Sequence, residues 1–458
     1  MRPGKLWIVL VVAAILGAAC GRRGDGGETT ATTRPASAPA SDMCKGVPLE
    51  ATEIGVTPTA ITILVMADVG SPLAPGLFQG NIDAVTAFAR RVNAQGGLAC
   101  RKLVVKTWDS KLSAEEAKNG LIEACRSALA MVGSNALFNP DVSPIVNCPD
   151  KGGAPTGLPD VTALAVDVNQ QCSPVTFPIQ AVAEECPVRQ GVRPLRAFVG
   201  HVRYFLRQVP DLHGIFQVPG DLPTTVQSAT YQIAAMEREG VRWDAVVKVS
   251  GRDTQAAYTP RIQIIKESAS NFVYNGSNDR AMINVRKEAK AQGVGSVKIW
   301  ACSLACYTRS MLSQGGPDVD GTYLWMQFLP FEEADANQEA SAFVESVGRD
   351  KIDSFGAQAW QAAVLFKQVT ERVVREHGPN GINRARLLEA LRQTKDFDAN
   401  GWMGPKDPRG MSDCFVLLQI RGGRFERVHP ATKGEFDCTS GNVVTITLDP
   451  AAEAAKIK

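Results

Sequence analysis

The order of strand-like and helix-like segments constrains the fold of this chain more than any other feature. Residues 61–67 form a β-rich run that is apolar on both faces, which is typical of a parallel strand buried between helices. The predicted elements that follow are a helix, a strand, a helix and a short strand, at 79–93, 103–108, 114–129 and 130–133. This βαβαβ order predicts a parallel sheet with right-handed crossovers.

The same alternation resumes after about residue 178 and predicts a second α/β half. Strands are predicted at 214–218, 245–249, 271–274 and 298–300, and helices at 225–239, 260–267 and 279–292. The last part of the chain differs, with a connecting strand, two helices and a hairpin at 321–328, 354–376, 383–393 and 414–428. The fold class predicted is therefore α/β, with two doubly wound parallel-sheet lobes.

The first residues have the layout of an export signal. Arg2 and Lys5 give a basic start, and residues 6–19 contain no charge. The run is shorter than the roughly 20 apolar residues of a spanning helix. It ends in small residues directly before Cys20, which resembles the bacterial lipoprotein motif and implies cleavage before Cys20 and a lipid on its sulfur. The alternative is an ordinary signal in which Cys20 is incidental.

The segment behind Cys20 has the composition of a tether. Residues 21–41 are Gly-rich and Pro-containing and include no large apolar side chain, so they cannot bury enough surface to fold. We therefore expect a signal peptide at 1–19 and a lipidated, flexible tether at 20–50. The protein is then held at the extracytoplasmic face of the cell membrane.

The cysteines predict disulfides. The chain has 11 cysteines, and without Cys20 an even number remains, which in an exported protein favours pairing. The favoured pairs are Cys125–Cys148, Cys172–Cys186 and Cys414–Cys438, which leaves Cys44–Cys100 and Cys302–Cys306. No histidine lies near the tight Cys302/Cys306 pair, so no metal site is predicted. No cofactor is expected, and the net charge of +2 gives no reason to expect nucleic acid as a partner.

Three segments resemble one family in their order and spacing. Residues 55–97, 271–293 and 355–366 look like the type I periplasmic binding proteins, in the subgroup that captures leucine-like amino acids for ABC importers. The resemblance implies two lobes, three hinge crossovers and a ligand enclosed between the lobes. It implies lobe 1 at 55–178 plus about 329–395, and lobe 2 at 179–328 plus about 396–450.

Loops after the strands are the candidate binding residues. Ligands of open α/β sheets lie beyond the carboxyl ends of the strands, where loops present backbone N–H groups. The candidates are Ser71, Ser134, Asn135, Ala136, Asp221, Asn278 and Ser303. For each of them the alternative is a helix cap or a turn, which Ser and Asn also favour.

One departure from the family pattern bears on the ligand. Amino-acid binders of this family hold the ligand ammonium with a carboxylate, and by register that position is Ser303 here. Asn278 replaces an aromatic residue of the neighbouring loop, although Asp221 or Asp279 could supply a negative charge. A buried ammonium without such a partner is costly. We therefore expect a neutral polar ligand such as an amide or urea, with Ser134 and backbone N–H groups binding any carboxylate.

Three classes of function compete. A carrier delivers its small-molecule ligand to an ABC permease and ATPase, a tethered sensor reports occupancy to a signalling partner, and an enzyme transforms its ligand. No GxSxG, GxxxxGK[ST], GxGxxG or HExxH string occurs, and none of the 4 histidines lies in an acid–base context. The sequence therefore predicts a binding protein that acts as a monomeric carrier, with the tethered sensor as the alternative.

Overall fold

The computed structural model describes residues 44–180, 182–188 and 191–458. The signal and most of the tether, with Cys20, lie outside the described residues. The strands are β1 (Ala60–Ala67), β2 (Lys102–Asp109), β3 (Ala130–Val132), β4 (Asp160–Val161), β5 (Arg193–Phe198), β6 (His213–Pro219), β7 (Arg242–Val249), β8 (Phe272–Asn275), β9 (Ile299–Cys302), β10 (Thr322–Met326), β11 (Val416–Arg421), β12 (Arg424–His429) and β13 (Val443–Leu448). The helices are α1 (Gln79–Ala94), α2 (Ala114–Ser127), α3 (Ser143–Val146), α4 (Val168–Gln171), α5 (Gly200–Gln208), α6 (Pro223–Arg238), α7 (Thr259–Glu267), α8 (Asp279–Ala291), α9 (Arg309–Gly315), α10 (Gln338–Val347), α11 (Ser354–His377), α12 (Arg384–Gln393) and α13 (Pro450–Ala455).

The first lobe is built on a parallel sheet in the order β2-β1-β3-β4. Strand β1 pairs with β2 and β3, and Ile63 lies opposite Val105 and Ala130. Its apolar run is buried on both faces, as the sequence predicts. Helix α1 packs against α11, where the rings of Phe88 and Trp360 meet edge-on at 5.0 Å. Helices from two distant parts of the chain therefore complete this lobe.

The second lobe is built on a larger sheet in the order β12-β11-β10-β9-β8-β6-β7. Strands β7, β6, β8, β9 and β10 run parallel to their neighbours. The predicted hairpin forms β11 and β12, which extend the sheet in the antiparallel sense beyond β10. The two parallel sheets confirm the predicted α/β fold class.

A two-stranded sheet on the second lobe has no counterpart in the sequence prediction. Strand β5 pairs antiparallel with β13, and Phe198 lies opposite Val443. Each strand is short and half-buried, and its partner lies far away along the chain, so local pattern gives no signal for the pair. Strand β5 leads directly into α5, and both contribute to the site described below.

All five predicted disulfides form in the structure. The bonds are Cys44–Cys100, Cys125–Cys148, Cys172–Cys186, Cys302–Cys306 and Cys414–Cys438. Each closes a loop in the unfolded chain and so stabilises the fold. The oxidised state agrees with an exported protein.

The chain crosses between the lobes three times, and the crossovers are bonded to each other. Phe328 of the second crossover forms a β-bridge with Met403 of the third. The Lys406 ammonium donates to the carbonyls of Pro178, Gln180 and Gly410, at 2.9, 3.4 and 3.2 Å, and so joins the first crossover to the third. Burial, with a smaller effect of Arg196, lowers the pKa of Lys406 to about 7.

Within 44–180, 182–188 and 191–458, no helix has both the length and the apolar character to cross a bilayer.

Candidate functional site

A cavity of about 260 Å³ lies between the two lobes. Its first-lobe wall comes from the loop after β4, at Leu164 to Val166, and from the start of α11. Its second-lobe wall comes from β5, α5 and α6 and from residues at or just after the ends of β6, β8, β9 and β10. The cavity therefore lies at the carboxyl ends of parallel strands, where open α/β sheets bind ligands.

The lobes are bonded to each other at the cleft. Ser354, at the start of α11, donates its hydroxyl to the Leu304 carbonyl across the cleft at 3.0 Å. Thr224, at the start of α6, donates to the Leu137 carbonyl of the first lobe at 2.7 Å. The structure is thus a closed arrangement, in which a solute in the cavity is enclosed by both lobes.

One wall of the cavity is aromatic. The Trp325 ring stacks on Phe198 and on His201, with centroids 5.0 and 4.6 Å apart. The Trp325 indole N–H donates to the Tyr274 hydroxyl at 3.0 Å. All four side chains line the cavity. Such a wall favours an apolar or flat group of a ligand.

His201 is a buried polar group in this wall that lacks a hydrogen-bond partner among the described residues. It is 1% exposed, and neither ring nitrogen has a hydrogen-bond partner in the described protein. Burial lowers the pKa of His201 to about 3, so the imidazole is neutral at physiological pH. A neutral imidazole offers one donor and one acceptor and no charge.

Glutamine side chains supply the other unpartnered polar atoms. Gln358 and Gln361, three residues apart on α11, are 5% and 1% exposed and line the cavity. One amide atom of each is buried without a partner, and so is one amide oxygen of Gln180 and of Gln232. Buried polar atoms are normally hydrogen-bonded because leaving them unpaired costs free energy. Their convergence on one cavity indicates a binding site for a polar molecule.

The position of the two α11 glutamines follows from the start of that helix. Asp353 is the N-cap, and its carboxylate accepts the Gly356 N–H at 2.6 Å. Residues three apart lie on one helix face, so Gln358 and Gln361 reach the cavity together. Burial raises the pKa of Asp353 to about 6 despite this hydrogen bond.

Arginine is the one charged residue type in the described lining. Arg196 donates Nη2 to the Arg409 carbonyl at 3.1 Å. No aspartate, glutamate or lysine belongs to the described residues that line the cavity. The nearby buried Glu184 is already bound by Arg193, at 2.7 Å, and by the Tyr231 hydroxyl, at 2.6 Å. The cleft therefore has no free carboxylate for a cationic ligand.

Of the seven residues predicted from the sequence, Ser303 lines this cavity. Its hydroxyl accepts the Ala305 N–H at 3.4 Å and caps a short 3-10 turn. Ser134 instead accepts the Met66 N–H at 3.0 Å, inside the first sheet. Ser71 caps a turn by accepting the Leu73 N–H at 3.2 Å. Their roles toward a ligand stay predictions.

The remaining predicted residues lie in the two lobes away from the cavity lining. Asn135 is fully buried with both side-chain amide atoms unpartnered, and Ala136 belongs to the first core. Asp221 accepts the Ser250 hydroxyl and the Gly251 N–H, at 2.6 and 2.7 Å. Asn278 caps α8 by accepting the Ala281 N–H at 3.2 Å. Several of these side chains are thus already used in hydrogen bonds that form turns and helix caps.

Sequence reasoning missed the aromatic wall and the glutamines. Phe198 and His201 lie in and after β5, a strand that the pattern does not predict. Gln358 and Gln361 offered a usable signal, since two glutamines interrupt an otherwise apolar stretch of a predicted helix at helical spacing.

Two α/β lobes, three crossovers and a cavity at facing strand ends define a class of cleft-closing binding proteins. The family model described as "Periplasmic binding protein" matches residues 60–424. The chain belongs to this family, as the resemblance implied. No match is found among curated proteins.

Solved structures of low sequence identity share the fold. A leucine-binding protein, LivK, from Thermotoga maritima is 13% identical, with 80% of this chain and 97% of that chain covered at a TM-score of 0.61. An ABC transporter substrate-binding protein from Aeropyrum pernix is 13% identical, with 86% and 99% covered at 0.64. A fatty acid ABC transporter substrate-binding protein from Thermomonospora curvata is 14% identical, with 85% and 95% covered at 0.59. These likenesses confirm the two-lobed type I fold.

Proposed function

We propose that this protein is an extracytoplasmic substrate-binding lipoprotein of an ABC transporter. It captures a small polar solute, amino-acid-like or of the amide or urea type, in the cleft and delivers it to a permease and its ATPase. The observation that supports this most is the set of unpartnered amide and imidazole atoms on an enclosed cavity between two lobes. It acts as a monomer and is not an enzyme.

The chemistry of the lining supports an uncharged hydrogen-bonding group in the solute. Glutamine amides both donate and accept, which matches an amide or urea better than it matches an ammonium. The relatives named above include proteins described as binding leucine and fatty acids. Ser303 adds a hydroxyl to the same cavity. The two lobes of this binding protein comprise residues 55–178 plus about 329–395 and residues 179–328 plus about 396–450.

Closure of the two lobes around the solute is the test of the binding mechanism. Hinge closure should make the protein more compact, so small-angle scattering should give a smaller radius of gyration with solute than without. The solute comes from a thermal-shift screen of polar metabolites, amides and ureas. A solute that binds tightly at unchanged particle dimensions would argue against capture by closure.

The lipid anchor is tested separately. Cys20→Ala should release the protein from membranes or block its processing, because the acceptor of the lipid is gone. Membrane fractionation after a high-salt wash is the measurement, and Cys44→Ala, which removes a disulfide cysteine instead, is the control. A Cys20→Ala protein that is cleaved at its normal site and still stays in the washed membrane fraction would place the anchor elsewhere.

A further inference from the structure

Three cationic side chains cluster beside the cleft, and the proposed function does not account for them. Arg196 donates to the Arg409 carbonyl at 3.1 Å, and Arg409 donates to the Gln171 carbonyl at 3.2 Å. Lys406 donates to three backbone carbonyls. Within the described ranges, none of the three forms an ion pair with a carboxylate. The result is a cluster of basic groups beside the cavity, in which the two guanidiniums carry the charge and the pKa of about 7 leaves Lys406 partly neutral.

Arg196 is the member of this cluster that faces the cavity. Lys406 is 5% exposed and its hydrogen bonds are directed at backbone carbonyls, so it does not reach a ligand. The Arg196 guanidinium uses Nη2 for the Arg409 carbonyl, while its Nε and Nη1 have no partner in the described protein. Either of these free N–H groups can donate a charge-assisted hydrogen bond to a carboxylate.

Much of the cavity lining is apolar. Met236, Met403 and Met411 line it together with the aromatic wall and Phe355. Methionine side chains adapt to apolar groups of different shape, and aromatic rings bind both alkyl and aryl groups. A ligand that fills this volume therefore has an apolar part as well as polar groups.

A free ammonium has no carboxylate partner in the described lining of this cavity. The described lining contains no carboxylate, and Glu184 is bound by Arg193 and Tyr231. The glutamines of the same lining suit an amide. An ammonium placed there would be desolvated next to a cluster of positive charge, which is unfavourable.

We propose that the cleft binds N-acylated amino acids. The carboxylate binds Arg196, the amide bonds to the glutamine side chains, and the apolar side chain or acyl group packs against the aromatic and methionine side chains. This inference rests on the proposed function, because it specifies the solute that the same cleft captures. Acylation removes the charge for which the cavity has no partner.

Matched probes separate the three parts of this assignment. Titration calorimetry on the full-length protein in detergent uses N-acetyl-leucine and N-benzoylglycine, which differ in the alkyl or aryl nature of the apolar part. Leucine restores the ammonium, and N-acetyl-leucinamide removes the carboxylate. We expect at least one of the two acylated acids to bind about tenfold or more tightly than leucine and than N-acetyl-leucinamide.

Substitution of the arginine tests where the carboxylate binds. Arg196→Met should weaken the bound acylated acid about tenfold or more and leave N-acetyl-leucinamide unchanged, since the amide does not use the charge. Arg242→Gln is the control. Arg242 is exposed at the start of β7, whereas the cavity lies at the carboxyl ends of the strands, and it pairs with Asp211. This substitution should leave all affinities unchanged. An unchanged melting temperature shows that each variant is folded.

The possible failures are distinguishable. Tighter binding of leucine than of both acylated acids, or equal loss of acid and amide in Arg196→Met, would overturn the inference. If other solutes from the screen bind and close the cleft while both acylated acids do not, the inference is wrong and the proposed function stands. If no solute of any class binds, the proposed function itself is wrong.

Discussion

The strand-end loops of the first lobe and the cavity between the lobes are both polar, but they differ in how their polar groups are paired. At the strand ends, the buried Asp68 accepts the Ser110 hydroxyl and the Leu112 and Leu137 N–H groups, at 2.6, 2.8 and 2.8 Å. In the cavity, buried atoms of Gln361 and His201 have no partner. The hydrogen-bonded Asp68 thus serves the fold, whereas unpaired groups that converge on one cavity indicate a ligand. Asn135, buried and unpartnered after β3, is an exception among the strand-end loops and does not line the cavity.

The largest expected effect is on stability, at the strand ends. Asp68→Ala leaves three donors without an acceptor in a buried place, so we expect a loss of about 3 kcal/mol or more in the free energy of unfolding. Urea unfolding at pH 7 measures it. Asp68→Asn keeps one oxygen and should lose less. A loss below about 1 kcal/mol for Asp68→Ala would show that these bonds do not hold the loops.

Two disulfides, one away from the cavity and one beside it, should differ in their effect on solute binding. Loss of Cys125–Cys148 or of Cys172–Cys186, as Ser pairs, should each cost about 3 kcal/mol in the chain-entropy model. Cys172 directly follows Gln171, which lines the cavity, so the second pair should also weaken solute binding. Unfolding and calorimetry on both variants give the measurement. Equal affinity losses in the two would contradict the distinction.

The helix that bears the cavity glutamines begins at a buried carboxylate, and its stability should depend on pH. The folded pKa of Asp353 is raised from 3.8 to about 6 by burial, so the wild type loses stability as pH rises through this range. Asp353→Ser keeps the cap without the charge. It should therefore be more stable than wild type at pH 7.5 by on the order of 2 kcal/mol, and no more stable below about pH 4. An equal gain in stability of Asp353→Ser at both pH values would show that titration of Asp353 is not the cause.

The smallest stability effect is expected in the cavity. Gln361→Met removes an amide that has an unpartnered atom, so the free energy of unfolding should change by less than about 1 kcal/mol and can rise. Solute affinity should nevertheless fall about tenfold, because the hydrogen bonds to the solute are lost. Gln368→Met, at a half-buried glutamine later in the same helix that donates to Asn400, is the control. A destabilised protein with unchanged affinity would assign Gln361 to the fold.

The sequence predicts the parts of this molecule that depend on local pattern. Buried parallel strands such as β1 are apolar throughout, and the helices after them have clear periodicity, so the two halves and the hairpin were predictable. The β5–β13 pair was not, because its partners are distant along the chain.

The site was less predictable than the fold. Ser134 and Asn278 have the residue types of a binding loop, yet the sequence cannot show whether a side chain is already bonded, here to Met66 and Ala281. The family pattern also directs attention to strand ends rather than to α11. Gln358 and Gln361 can be recognised as part of a site only when the burial and the hydrogen-bond partners of their side chains are known.

The most direct test of the account places the solute in the cleft rather than at the strand ends. Thermal unfolding is measured with and without a saturating solute for the wild type, for Gln358→Met/Gln361→Met and for Ser134→Ala/Asn278→Ala. At 100 times its dissociation constant the solute adds about 2.7 kcal/mol. If the solute binds in the cavity, this stabilisation should be retained in the Ser134/Asn278 variant and lost in the Gln358/Gln361 variant. A shift lost in the former and retained in the latter would contradict it.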